Sequence, residues 1–373
     1  MSHDVIRRIP FPEMLPEAMS GSRIRALVPS RGLLLAGAVA TLLAAGDLFG
    51  QATGPGRMDP VTYVSPEDGT ELTASLVLPR GDGPHPGVLV MSVAGTGPLV
   101  SRLVGDGYAV LTPMLRGFVE VEPLLRATYA DLAGDLRAGL SYMASRPEID
   151  GGSLTLVAQA ENTAPAMLVG ASLASVPLIL LAPPAFSGVE AFRLEQRWIA
   201  DGAGAGSGEL AMLDRYVEAI AEIALSGSAP YAKEYRLQGL RAGARVDLPP
   251  NAAFPSDERQ AHFFASPIWQ DRLAFEPESA MAELRSPVLI LIGAEEPYTP
   301  MDDYLAAVRR GLAASGVADG TVCRIPGRTR HTFSGEAVSA ITEWLAERAG
   351  RTRRGSGSPA HRPSGCMEDE APR

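Results

Sequence analysis

The hydrophobic and polar positions of this 373-residue chain follow two alternating patterns, short apolar runs and amphipathic stretches. The apolar runs have the length of β-strands, and several are apolar without interruption, as in strands buried on both faces of a sheet. Predicted strands cover 61–64, 72–78, 87–93, 108–111, 154–157, 176–181, 287–292 and 322–325. Helices are predicted over 99–106, 129–145 and 334–348, and one more ends near residue 171. This alternation predicts an α/β fold with a mostly parallel, doubly wound sheet.

The rhythm of strands and helices is interrupted between residues 186 and 283, where helical stretches alternate with Pro- and Gly-containing loops. We interpret this segment as a helical cap inserted into a core formed by 58–185 and 284–350. Residues 1–57 precede the first strands as a leader and linker. Residues 351–373 form a polar tail that we expect to be disordered.

An apolar stretch near the N-terminus resembles a targeting signal. Residues 33–46 are apolar, Arg23, Arg25 and Arg31 precede them, and the small-residue triplet 50–52 follows. The stretch is shorter than the roughly 20 residues that span a bilayer. A basic flank, a short apolar run and small residues predict export or membrane anchoring, with membrane association through 33–46. The alternative is an ordinary helix of a cytoplasmic protein.

Composition excludes some classes of partner. The formal net charge of −10 argues against nucleic-acid binding, which requires a basic surface. Cys323 lies in a strand-like run and Cys366 in the polar tail, so we expect neither a structural disulfide nor a metal site from them. We expect no metal and no other cofactor.

Four stretches together resemble the α/β-hydrolase superfamily, in particular its secreted esterase-like and peptidase-like members. They are residues 94–98, 146–150, 293–297 and 327–331, and their order and spacing carry the resemblance over about 59–348. The resemblance implies the α/β-hydrolase fold with a cap, and a site built from a nucleophile, a histidine and an acid.

The nucleophile position departs from this pattern. The superfamily places its serine in G-x-S-x-G at a sharp turn between a strand and a helix. Here the strand 154–157 runs into Ala158-Gln159-Ala160-Glu161-Asn162, so both glycines and the serine are replaced. The methyl group of Ala160 cannot attack a carbonyl, which excludes an acyl-enzyme at this position. Ser172 lies in a similar motif, but a strand follows too soon for the required helix, so we place it near the end of the preceding helix.

The other site positions are filled. The resemblance assigns Glu296 as the acid and His331 as the base, a pair competent for proton transfer or else a structural relic. It assigns the backbone N–H groups of Gly95, Thr96 and Gly97 to an oxyanion site.

Three further residues complete the predicted site. Glu161 donates its amide to the oxyanion site, and its carboxylate, at a helix N-terminus, either transfers protons or repels anionic substrates. We predict that Gln159 beside it and the cap residue Trp198 contact substrate.

These residues favour an enzyme that retained the fold, an apolar pocket and the His331/Glu296 pair but abandoned covalent catalysis. Such an enzyme would act on a small hydrophobic organic molecule as a lyase, cyclase or isomerase. One alternative is a catalytically inactive binding or scaffold protein, and another is a weak ester or lactone hydrolase in which His331 activates water.

Overall fold

The computed structural model describes residues 56–92, 95–114, 116, 121–243, 258–296, 300–354 and 363–367. The strands found there form one eight-stranded sheet in the order β1-β2-β4-β3-β5-β6-β7-β8. Their bounds are β1 Gly56–Val64, β2 Glu71–Pro79, β3 His85–Met91, β4 Ala109–Pro113, β5 Ile149–Gln159, β6 Leu178–Leu181, β7 Val288–Gly293 and β8 Gly320–Ile325. The pairings of β1 with β2 and of β2 with β4 are antiparallel, and β3 to β8 are parallel. The predicted, mostly parallel sheet is confirmed.

Helices cover both faces of this sheet. On one face α1 (Gly97–Gly105) and α12 (Gly335–Arg354) pack against the strands, and on the other lie α3 (Tyr129–Ala144), α4 (Thr163–Ser172) and α11 (Met301–Ser315). All six residues of β7 are buried, because neighbouring strands and both helical layers enclose them. Full burial of a large aliphatic side chain contributes about 1.5–3 kcal/mol, so these apolar runs drive the doubly wound arrangement. A short helix, α2 (Glu122–Arg126), follows β4.

Helices also fill the insertion between β6 and β7. They are α5 (Gly188–Gly202), α6 (Ser207–Leu225), α7 (Pro230–Gly243), α8 (Glu258–Ala265), α9 (Pro267–Ala274) and α10 (Pro277–Ala282). Their apolar faces pack into a cluster of their own that includes Phe192, Phe264 and Trp269. The chain's single lysine, Lys233, is buried here and donates from Nζ to the Ala224 carbonyl and to Gln270 Oε1, both at 2.7 Å.

The C-terminal tail corrects two expectations. Cys366 forms a disulfide with Cys323 of β8, although we expected none. Met367 donates its backbone N–H to the Arg324 carbonyl at 2.7 Å, and the Ser364 N–H donates to Glu343 of α12 at 2.8 Å. The tail is therefore ordered over 363–367. The two cysteines meet because residues 363–367 lie against both β8 and α12.

The predicted leader lies outside the described residues except for Gly56 and Arg57, which begin β1. The apolar stretch 33–46 is among the residues left out. Among the helices that the structure describes, none is long and apolar enough to cross a membrane.

Candidate active site

The turn after β5 has the backbone conformation of a nucleophile turn. β5 ends at Gln159, residues 160–162 form a single 3₁₀ turn, and α4 begins at Thr163. Ala160 has φ of +53°, in the left-handed region that costs a non-glycine residue about 1–2 kcal/mol. Ala160 is 2% exposed. Ala160 thus takes a left-handed conformation at a sharp junction between a strand and a helix, and no glycine lies within residues 158–162.

Local hydrogen bonds hold this turn. Thr163 Oγ1 donates to the Ala160 carbonyl at 2.5 Å, and Asn162 Nδ2 donates to the Gln159 carbonyl at 3.3 Å. These two side-chain bonds cross the turn from its helical side to its strand side, and so they stabilise the left-handed residue between strand and helix.

Gln159 has a different role from the one predicted. Its side chain is 1% exposed, so it presents no surface for substrate contact. Its Oε1 accepts a hydrogen bond from Ser92 Oγ at 2.5 Å, and its Nε2 donates to the carbonyls of Thr329 at 2.7 Å and Thr332 at 3.2 Å. Gln159 therefore fastens the nucleophile turn to the end of β3 and to the loop that carries His331.

Glu296 holds that same loop. Its Oε1 accepts hydrogen bonds from Thr329 Oγ1 at 2.8 Å, from the Arg330 N–H at 3.0 Å and from the Thr329 N–H. Its Oε2 is buried without a hydrogen-bond partner in the described part of the chain. The predicted acid thus fixes the two residues that precede His331.

The predicted oxyanion loop lies beside His331. A β-carbon at Gly95 would be 3.8 Å from the His331 carbonyl oxygen. Gly95 has φ of +72°, Thr96 is buried, and Gly97 begins α1. The first turn of a helix leaves its N–H groups without intrahelical partners, so this loop can supply donors to a developing oxyanion.

Glu161 is a fixed anion. Its Oε1 lies 3.4 Å from Arg330 Nη1 and 3.8 Å from Arg272 Nη2, and Arg272 also pairs with Glu195 at 2.8 Å. Burial raises the pKa of Glu161, but the charges of Arg330 and Arg272 outweigh burial and hold that pKa at about 2. Glu161 is therefore ionised near neutral pH, where it has no proton to donate, and its two arginine partners oppose the uptake of a proton.

A cleft opens between the core and the inserted helices. Its lining is mostly apolar and comprises Leu124, Tyr129, Leu132, Glu161, Asn162, Phe263, Ile268, Trp269 and Arg272. Trp198, the predicted contact, is 49% exposed on α5 and is not part of this lining. Trp269 on α9 supplies the indole ring instead.

Sequence reasoning missed Arg272 and Arg330. Arg330 directly precedes His331, and that adjacency was the only available signal. Ser172 is the last residue of α4 and donates from Oγ to the carbonyls of Leu168 and Val169, which confirms that it is not at a nucleophile turn. Within the described ranges, no cluster of His, Cys, Asp or Glu side chains could hold a metal ion.

Neither a protein-family model nor a curated protein matches this sequence. Solved structures are similar to it. DcsB in complex with its substrate analogue is 13% identical, with 79% of this chain and 100% of that chain covered and a TM-score of 0.49. Acetyl xylan esterase from Paenibacillus sp. R4 is 13% identical (86% and 96% covered, TM-score 0.46). A dienelactone hydrolase-like promiscuous phosphotriesterase from metagenomic libraries is 13% identical (74% and 83% covered, TM-score 0.41).

The eight-stranded, mostly parallel sheet with helices on both faces decides the fold. It is the α/β-hydrolase fold. The similar structures have this fold at low sequence identity, and they include esterases and dienelactone hydrolase-like proteins. At this level of identity the similarity shows nothing about the reaction or the substrate.

Proposed function

We propose that this chain is an α/β-hydrolase-fold enzyme that works without a covalent intermediate and uses His331 to move a proton on a small, largely apolar carbonyl compound. The observation that carries the proposal is Ala160, which holds the strained conformation of a nucleophile turn and has a methyl group there. Strain of this kind persists where the surrounding structure over-determines it, and it concentrates at functional sites.

The remaining groups suit proton abstraction next to a carbonyl. Imidazole is a common general base in enzymes, and His331 supplies one here. Backbone donors at Gly95–Gly97 would stabilise the negative charge that develops on the carbonyl oxygen. His331 takes the proton from the α-carbon, and the C–H electron pair passes into the enolate. In an isomerisation the protonated His331 then returns this proton to another carbon of the enolate. In an elimination the enolate electron pair expels a leaving group from the β-carbon, and the leaving group takes the proton from His331. This chemistry is of the isomerase, lyase or cyclase type.

Two contacts support a role for the site beyond passive binding. Gln159 and Glu296 each fix the loop that precedes His331, through hydrogen bonds at 2.7 Å and 2.8 Å among others. Catalytic groups require such preorganisation, whereas an apolar binding protein does not.

Deuterium exchange tests the proposal without knowledge of the natural substrate. The protein is incubated in D₂O with a panel of small neutral ketones and esters, and loss of the α-proton signal is followed by NMR. We expect catalysed exchange, reduced about 10²-fold or more in His331→Ala, the usual share of general acid–base catalysis. His85→Ala is the matched control, since His85 begins β3 at the opposite end of the parallel strands from the site.

Exchange that is equally fast in His331→Ala would contradict the role of His331. If the wild type exchanges no compound of the panel, the inactive binding protein becomes the better account. If free acid forms from the esters in a His331-dependent reaction without exchange, His331 activates water instead.

We also propose that the protein is exported. The apolar stretch 33–46 resembles a secretory signal, and the Cys323–Cys366 disulfide supports an oxidising compartment, because disulfides are rare in reducing cytosol. Fractionation of cells expressing the full chain, with and without residues 1–52, tests this proposal. Full-length protein found entirely in the cytosol would contradict it.

A further inference from the structure

We propose that His262 is a pH-dependent latch that holds helices α8 and α9 against the core and so controls access to the cleft. These two helices, residues 258–274, form the lid. The inference goes beyond the proposed function, because it concerns how a molecule reaches the cleft and does not depend on the reaction of His331.

The cleft lies between two walls that belong to different parts of the fold. Its core wall comes from α2, from the start of α3 and from the turn after β5, and consists of Leu124, Tyr129, Leu132, Glu161 and Asn162. Its opposite wall belongs to the lid and consists of Phe263, Ile268, Trp269 and Arg272. A displacement of the lid from α2 and α3 therefore widens the cleft, and contacts between lid and core keep it narrow.

Polar contacts connect the lid to the core. Asp271 Oδ2 accepts a hydrogen bond from the Tyr129 N–H at 2.7 Å, and Arg272 Nη2 lies 3.8 Å from Glu161 Oε1. His262 Nε2 lies 3.3 Å from Glu122 Oε2. Of the groups in these contacts, the imidazole is the one that ordinarily titrates between pH 5 and 8. A change of pH near neutrality therefore acts on the His262 contact.

Two carboxylates from different helices flank the imidazole of His262. Its Nδ1 lies 2.9 Å from Glu234 Oε1 on α7, and its Nε2 faces Glu122 on α2. A protonated imidazole has two N–H groups and can donate to both carboxylates, whereas a neutral imidazole has one. Glu234, at the shorter distance, retains that N–H, so a lone pair of Nε2 then faces a carboxylate oxygen of Glu122. Deprotonation therefore removes the contact between lid and core and preserves the contact within the insertion.

The charges around His262 set the direction of this switch. The hydrogen bond to Glu234, against the effect of burial, and then that to Glu122 raise the pKa of His262 above its ordinary value. Helices α2, α6, α7 and α9 lie beside α8. Further charged groups on these helices have partners of their own, namely Arg126 with Glu122, Lys233 with Gln270, Arg236 with Glu222, Asp271 with the Tyr129 N–H, and Arg272 with Glu195. The latch is thus closed at acidic pH and is released as the pH rises through the raised pKa.

A thiol placed in the cleft measures how often the lid opens. The two cysteines of the chain form a disulfide, so Leu132→Cys introduces a single free thiol in the core wall, where Leu132 is 7% exposed. Its rate of modification by methyl methanethiosulfonate is divided at each pH by the rate for a cysteine-containing peptide. We expect this ratio to rise about two- to fivefold from about pH 5.5 to about pH 8.5, the usual range for an exposed ion pair.

Two substitutions on α2 separate the latch from other effects of pH. In Glu122→Gln the new amide can accept from Nε2 or donate to it, so the ratio should no longer depend on pH. Arg126→Gln removes the other partner of Glu122 and leaves the latch in place, so the rise should remain. Ile268→Cys, on the lid wall, should show the same rise and guards against a local effect of the first thiol. A ratio that is independent of pH in both thiol variants, or a rise that persists in Glu122→Gln, would overturn the inference.

Discussion

Gln159 Nε2 donates a hydrogen bond to the carbonyl oxygen of Thr329 at 2.7 Å, across 170 positions of sequence. The first residue directly precedes the nucleophile turn, and the second lies two positions before His331. The buried side-chain amide of Gln159 thus links the end of β5 to the loop that precedes His331. Because Gln159 does not contact solvent, this arrangement serves the position of His331 rather than contact with substrate.

The strain at Ala160 predicts the effect of glycine there. Ala160→Gly removes a left-handed conformation that costs alanine about 1–2 kcal/mol. The same change removes a buried methyl group and increases the entropy of the unfolded chain, and both effects lower stability. We therefore expect the free energy of unfolding to stay within about 0.5 kcal/mol of the wild-type value. Ala158→Gly, in the interior of β5, offers no relief and should lower the free energy of unfolding by about 1–2 kcal/mol. Urea unfolding measures both. Equal losses in the two variants would show that Ala160 is not strained.

The ion pairs of Glu161 predict an acid-sensitive contribution to stability. The pKa of Glu161, about 2, is below the ordinary value of 4.5. The ionised carboxylate therefore contributes fully to the free energy of unfolding above pH 4.5, and this contribution is lost as the pH falls toward 2. Glu161→Gln should lower the free energy of unfolding at neutral pH by about 1–3 kcal/mol, because Arg272 and Arg330 lose a half-buried partner. The difference from wild type should shrink over that acidic range in urea unfolding. A pH-independent difference would contradict the ionised state of Glu161.

His262 predicts a pH dependence of opposite sign. Its Nδ1 lies 2.9 Å from Glu234 Oε1 and its Nε2 3.3 Å from Glu122 Oε2, so it links α7 and α8 of the insertion to α2 of the core. Phe263 and Leu124, beside these residues, line the cleft. The hydrogen bond to Glu234, followed by that to Glu122, raises the pKa of His262 above 6.5 against the effect of burial.

Because the pKa of His262 is raised in the folded state, the protonated ring stabilises the fold fully below pH 6.5. This stabilisation is lost as the pH rises through the pKa of the folded state. His262→Gln should therefore lower the thermal midpoint at about pH 5.5 and have little effect at about pH 9. His85→Gln is the control variant. Arg126, which also pairs with Glu122, remains in place in both variants. A larger effect of His262→Gln at the alkaline pH would contradict the linkage.

The disulfide between Cys323 and Cys366 predicts sensitivity to reductant. It closes a loop with a sequence separation of 43, for which loss of the crosslink costs up to about 4 kcal/mol in the chain-entropy model. Reductant should lower the thermal midpoint of the wild type to that of Cys366→Ser, and the variant should not respond to reductant. A wild-type midpoint that reductant leaves unchanged would show that the crosslink contributes nothing.

The centre of the sheet could be predicted from sequence because strands such as β6 and β7 are buried on both faces. A run such as 288–293 has no polar position, and that pattern excludes a surface strand. The turn between β5 and α4 could be predicted from the same alternation of strands and helices. These features depend on residues close together in the sequence, so the pattern of hydrophobic and polar positions predicts them.

The disulfide and the composition of the cleft could not be predicted in this way. The residues around Cys366 are polar, and such residues do not predict a contact with β8. Trp198 and Trp269 both lie on helices of the insertion, but only the packing of those helices decides that Trp198 faces solvent and Trp269 lines the cleft. The pairing of Arg272 with Glu161 depends on the same packing. Contacts between the insertion and the core are non-local, and residue periodicity does not specify them.

The central claim is that a turn built for a nucleophile contains none. Incubation with a fluorophosphonate probe followed by intact-mass measurement tests it most directly, with Ala160→Ser as the matched variant that restores a hydroxyl in the same left-handed turn. The account predicts that the mass of the wild type is unchanged and that the variant gains one adduct, since the account assigns His331 as the base for this turn. A stoichiometric adduct on the wild type, at Ser172 or at any other serine, would contradict the account.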